Sequence, residues 1–474
     1  MPARPASNRY RDPTMKNSAF LALLLGTLGL APLAQAAPAG EVEFAKGVGA
    51  TTSGGRGPRV LSQGVPIEAG DTVTLGSNSF AVVKMTDGTR MTLRPNTSIK
   101  FEDYAFRQQD KPDSLITSLL RGGVRMVTGL IAKGSPSAAK LTTATATVGI
   151  RGTDFDARIC RTDCATDAAR IAQRSEVSNV AASARVTALQ GPVAAVNPAG
   201  DRRVVAEGGP VYAGDVLETA NNGHAVLVFR DNTKVTVQPR TQFKVENFVY
   251  ASDNPSEGAV VFNLLRGGMR VLTGLVGKAR PQAVRMSTPT ATVGIRGTGV
   301  DIVSEPESCA EAGGAADCTL ITTWDGEGVL NPGGANELPV PVGVFVVQDT
   351  ATGTPRVLPV APPSLMNIPT PRPDTVPASA EQLFSAQEVG EGDAGLFVFS
   401  RDGHLSITTA DRTIDIARGE TGFLNADGTR LLRSITTPNF LEFDVIPRPD
   451  RFNPSTARLL DLAGAFRVKA SVCR

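Results

Sequence analysis

Short runs of β-branched and apolar residues, each closed by a glycine or asparagine turn, set the rhythm of most of this chain. Phe80 to Met85 is one such run, and it faces Arg90 to Leu93 across Thr86-Asp87-Gly88-Thr89. Asp-Gly supplies the positive φ angles of a tight hairpin turn. Later, Ile321 to Leu330 reads as a hairpin and Val342 to Gln348 as a strand. Leu396 to Phe399, the turn Arg401-Asp402-Gly403, Leu405 to Thr409 and Thr413 to Ile416 repeat the idiom, so a partial third module is expected there. One segment is ambiguous. Leu115, Leu119, Val127 and Ile131 could form a helical stripe, but Gly122, Gly123 and Gly129 interrupt it. Each glycine costs about 1 kcal/mol inside a helix, so strands with a glycine bend are preferred.

The pattern is duplicated. Ile67-Glu68-Ala69-Gly70-Asp71 returns as Val211-Tyr212-Ala213-Gly214-Asp215, and Asp87-Gly88-Thr89 as Asp231-Asn232-Thr233. Asparagine tolerates the left-handed conformation best after glycine, so the turn survives the exchange. Leu119-Leu120-Arg121-Gly122-Gly123 returns as Leu264-Leu265-Arg266-Gly267-Gly268, and Thr145 to Thr153 returns unchanged as Thr290 to Thr298. The unit runs from about Val42 to Asp156 and again from Val186 to Val303. The fold expected is all-β: two tandem β-rich modules, a coiled stack of short strands being one form, plus a smaller C-terminal β region. The domains expected are 40–165, 184–350 with its following hairpin, a Pro-rich linker at 351–378, and 379–474. Eight prolines between Pro355 and Pro377 make that linker a stiff spacer or a strap.

Bulk composition narrows the function. With 48 basic and 46 acidic residues the net charge is +2, which calls for no nucleic-acid partner. Only His224 and His404 are available for histidine chemistry. Met15-Lys16-Asn17, the apolar run Ala19 to Leu30 and Ala34-x-Ala36 have the form of an export signal over 1–36, with Met15 an alternative start. The apolar run falls short of a ~20-residue span, and no other segment is long and apolar enough to cross a membrane. A periplasmic or secreted location is expected. Cys160 and Cys164 follow the first unit, and Cys309 and Cys318 the second. Two local disulfides are the favoured reading. A metal pair is poorly supported without nearby histidine, and free thiols are the third reading. Cys473 is left over.

The run Ala69-Gly70-Asp71, Phe80 to Thr89, Leu93-Arg94-Pro95-Asn96-Thr97, Leu120 to Gly123 and Gly149-Ile150-Arg151-Gly152-Thr153-Asp154-Phe155 resembles the FecR domain. The second unit resembles it too, with Gly299-Val300 in place of Asp154-Phe155. The family takes its name from a periplasmic regulator of iron-siderophore uptake, whose type has a cytoplasmic segment acting on a sigma factor and one membrane span. The resemblance implies an all-β module used for contacts with proteins or envelope components.

Chemistry-bearing residues are few. Arg121, Arg125 and Arg151 match Arg266, Arg270 and Arg296 and are candidate contacts for an anionic glycan or peptide carboxylate, since guanidinium holds such groups bidentately. Pairing with turn carboxylates such as Asp71 and Asp215 is the plainer reading. Asp71 and Asp87 recur as Asp215 and Asp231 at turn signatures, which suits structural roles. Trp324 is either an exposed contact or a core anchor. No catalytic, cofactor or metal set is expected. The sequence favours a non-enzymatic exported protein that binds or senses an envelope protein or glycan. Second stands a periplasmic signalling regulator of the iron-uptake class, and third a polysaccharide-active enzyme using carboxylates such as Asp154.

Overall fold

The two units fold the same way because the same few residues force the same corners. In the computed structural model, residues 38–455 are described, except Asp110, Pro136, Asn179, Asp444, Val445 and Pro454. The signal segment, the expected short helix Ala457 to Phe466 and Cys473 lie outside the described residues. Each repeat builds a 15-stranded sheet. Alternation does the local work: Thr72–Leu75 and Val216–Thr219 both bury every second residue. The turns at Gly88 (φ +88°) and Asn232 (φ +65°) are left-handed, as the dipeptides require.

The ambiguous segment is a 14-residue strand, Ser114–Val127, followed by a five-residue helix, Leu130–Gly134. Gly122 (φ +76°) bends the strand, and a Cβ there would lie 2.6 Å from the Thr97 backbone. Before the bend the strand pairs with Ser98–Ala105 and Ala139–Thr142; after it, with Arg90–Leu93 and Thr147–Cys160. One strand thereby turns a corner and serves two layers of sheet. Ala259–Leu272 does the same at Gly267 (φ +95°).

The strand that carries Gly-Ile-Arg-Gly-Thr lies inside each sheet and needs a partner on its far side. In the second repeat, Thr292–Ser304 pairs with the next strand in the chain, Cys318–Leu330. In the first, Thr147–Cys160 pairs with Gly395–Thr408, after the whole second repeat has intervened. The likeness continues outward. Cys318–Leu330 pairs with Leu338–Pro341 and Phe345–Asp349, just as Gly395–Thr408 pairs with Thr413–Ala417 and Thr421–Asn425. Outermost stand Arg356–Val357 and Leu431–Ser434. The C-terminal strands therefore build no third module. They complete the first one, and Leu396, Val398, Leu405, Ile407 and Ile416 enter its core.

Two expected hairpins are instead single bent strands. Gly326 (φ +69°) and Gly403 (φ +84°) bend Cys318–Leu330 and Gly395–Thr408 without reversing them. The proline-rich segment is a strap: Thr236 donates to the Pro371 carbonyl at 2.9 Å and Arg270 to the Thr370 carbonyl at 2.9 Å. The first repeat has its own strap, where Thr92, the counterpart of Thr236, donates to the Pro447 carbonyl at 2.9 Å. The two straps share the sequence Pro-Arg-Pro-Asp, at 371–374 and 447–450. Disulfides join Cys160 to Cys164 and Cys309 to Cys318 at equivalent sheet ends.

Candidate functional site: a cleft between the repeats

The repeated arginines do not converge. Arg121 and Arg266 are exposed just before the corner glycines. Arg125 is buried and reaches Asp154 at 3.4 Å. Arg270 holds Asp301 through two bonds, at 2.9 and 3.1 Å. Arg151 is half-buried and donates to the Glu207 carbonyl at 3.2 Å. The Arg296 side chain is not among those described.

The turn aspartates serve the backbone. Asp87 accepts from the Thr89 amide and hydroxyl at 3.0 and 2.8 Å and from the Ile131 amide at 3.3 Å. Asp231 does the same for Thr233, and burial raises its pKa. Asp71 and Asp215 bind Arg59 and Arg203, a further repeated pair, and not Arg121, Arg125, Arg151 or their counterparts. Burial also raises the pKa of Asp154 and Asp301 against the pull of Arg125 and Arg270. Each of these carboxylates is occupied locally. Among the described residues no group of three or more His, Cys, Asp or Glu could hold a metal, and no helix is long and apolar enough to cross a membrane. Trp324 is half-buried: its indole donates to Asp301 at 3.1 Å and its ring carries Arg372 at 4.1 Å.

The first repeat's completing strands also dock the second repeat. Arg185 is almost fully buried and holds Glu420 at 2.9 and 2.7 Å. His404 meets Asp415 at 2.9 Å, and Asp415 packs against Gly208. Burial holds His404 below the ordinary histidine value despite Asp415. The Arg418 amide donates to the Tyr212 hydroxyl at 3.0 Å. The Tyr212 ring lies under both Arg203 (5.4 Å) and Arg418 (5.0 Å). Its hydroxyl is pushed up to about 12 by burial.

Beside this junction opens a cavity of about 850 Å³. Lys133 and Arg151 line it from the first repeat, Arg202 and Arg203 from the second, and Arg418 from the completing strands. Asp201, Asp215 and Asp402 also face it. Of its basic residues only Arg151 stood out in the sequence, and it did so because it is repeated. Lys133 and Arg203 also have counterparts, Lys278 and Arg59, but nothing in the sequence brings them together with Arg202 and Arg418.

The family model described as FecR protein matches residues 71–194 and 215–313. The chain carries two FecR segments. The two matches fall on the two repeats described above. Two crystal structures of a protein from Parabacteroides distasonis, described as an anti-sigma factor, are similar at 12% identity with a TM-score of 0.23. The similarity covers 30% of this chain and 58% of that one. No curated protein matches the chain.

Proposed function

We propose that this chain is a FecR-type sensing and signalling regulator that works outside the cytoplasm by binding, not by catalysis. The reading that the sequence placed second thereby moves forward. The two FecR segments carry the proposal. The two disulfides favour an oxidising compartment. The input is an envelope component, met at the junction where the second repeat and the first repeat's late strands lock together. A rigid junction suits a sensor, because a ligand seated there contacts both repeats at once.

The test is genetic and chemical together. Deletion in the host is expected to shift a discrete set of transcripts, and cross-linking in the intact envelope to recover one specific partner. Unchanged transcripts with no specific cross-link would overturn the proposal.

A further inference from the structure

We propose that the cleft between the repeats binds a small multivalent anion, a ligand bearing two or more carboxylate or phosphate groups. This names the ligand class for the sensing role above and rests on that reading only for its biological meaning.

The argument is one of charge left over. Arg203 is neutralised by Asp215, and Arg202 by Glu218. Lys133, Arg151 and Arg418 have no carboxylate partner among the described residues. The Arg418 Nε atom is buried without a hydrogen-bond acceptor. A buried, unpaired guanidinium donor is costly unless something supplies an acceptor. Lys133, Arg151 and Arg418, from three separate segments, outnumber Asp201 and Asp402 on the same walls.

Register explains why Arg151 is available. In the second repeat the matching Arg296 stands opposite Glu327 on the neighbouring strand. In the first, Arg151 stands opposite His404, which is itself engaged by Asp415. The acidic cross-strand neighbour is gone, and the guanidinium faces the cavity. Two of the cations are also held in place. Arg151 is tied to the Glu207 carbonyl, and Arg418 lies on the Tyr212 ring. Planar guanidinium groups fixed in this way take carboxylate or phosphate oxygens in pairs. A cavity of about 850 Å³ suits a small ligand.

Isothermal titration calorimetry on the full chain, with trigalacturonate and tripolyphosphate as probes, tests the assignment. At least one probe should bind. Arg151→Gln and the exposed Lys133→Gln should each weaken binding about tenfold or more, as expected for a lost charge-assisted bond. Asp402→Asn should tighten it. Preference between the probes separates a uronate source from a phosphate source. If neither probe binds, or if Lys133→Gln and Asp402→Asn leave the affinity unchanged, the site is refuted. A chain that binds the probes while its deletion leaves transcription untouched keeps the site and loses only the sensing role.

Discussion

The two repeats solve one electrostatic problem in two ways. Asp156 and Asp301 occupy equivalent positions, and both are buried. In the first repeat Asp156 is held by Arg94 at 2.7 Å and Arg401 at 2.6 Å, which frees Arg125 for Asp154. In the second, Gln238 stands at the position of Arg94 and Trp324 at that of Arg401, so Arg270 turns to Asp301. Gly299, the counterpart of Asp154, clears the space: a Cβ there would meet the Trp324 ring. The indole then donates to Asp301 and carries Arg372 of the strap. A buried carboxylate kept in both copies, with its cations exchanged as a set, belongs to a network and not to a ligand site. A repeated arginine is thus weak evidence for binding. An arginine whose cross-strand neighbour is acidic in one copy and not in the other, as with Arg151, is stronger.

The largest test of the comparison is topological. A chain ended after Pro377 keeps the second repeat whole and strips the first of its completing strands. The first core then loses Leu396, Val398, Leu405, Ile407, Ile416, Leu424 and Leu431. Burial is worth about 1.5–3 kcal/mol for each such side chain. The total rivals the ~5–15 kcal/mol net stability of a whole domain. Limited proteolysis with mass spectrometry should find residues 40–160 cut and 184–357 protected. Protection of both would show that the late strands are dispensable.

The charge networks come next. Asp156→Asn removes the buried carboxylate that Arg94 and Arg401 share, and breaking a buried pair in this way costs about 3–5 kcal/mol. Burial already lowers the pKa of Arg94 to about 10, so that guanidinium is poorly placed to lose its acid. Asp301→Asn should cost less, because it takes the carboxylate from one arginine, Arg270, where Asp156→Asn takes it from two. Denaturant unfolding ranks the two, and equal losses would erase the asymmetry. Gly299→Asp alone should destabilise the second repeat by about 1–3 kcal/mol through overpacking. Adding Trp324→Arg should recover part of that loss, as coupled neighbours do. Strict additivity in this double-mutant cycle would mean that the two positions do not exchange as a pair.

What the sequence made legible was local. Asp87-Gly88 and Asp231-Asn232 announce their turns because Gly and Asn reach positive φ angles most readily. The corner glycines are readable for the same reason, and the cysteine pairs because their thiols lie close in sequence. The nesting is not, because pairing between Thr147–Cys160 and Gly395–Thr408 leaves no mark at either strand. One signal was present: the duplicated Pro-Arg-Pro-Asp implies that residues 395–453 match 318–377 and need a sheet of their own kind to complete. The bent strands were misread as hairpins because Asp-Gly flanked by apolar residues suits either geometry. The cleft was invisible because Lys133, Arg203 and Arg418 meet only after both sheets have formed.

The smallest expected effect concerns the histidines. Opposite the repeated arginine the first repeat places His404 and the second Glu327, so only the first carries a titrating group there near neutral pH. Burial lowers the pKa of His404 from 6.5, opposed by Asp415 and assisted by the charges of Arg151 and Arg185. On acidification the unfolded chain therefore takes up a proton before the folded one does. The stabilisation is complete above pH 6.5 and is lost as pH falls below it. Thermal unfolding followed from neutral pH downward should show the midpoint of the first repeat falling in the wild type and a flatter profile in His404→Gln. His224, also lowered by burial, leaves a residual slope in the second repeat. Parallel profiles for the wild type and the variant would mean that the His404–Asp415 contact does not carry the difference between the repeats.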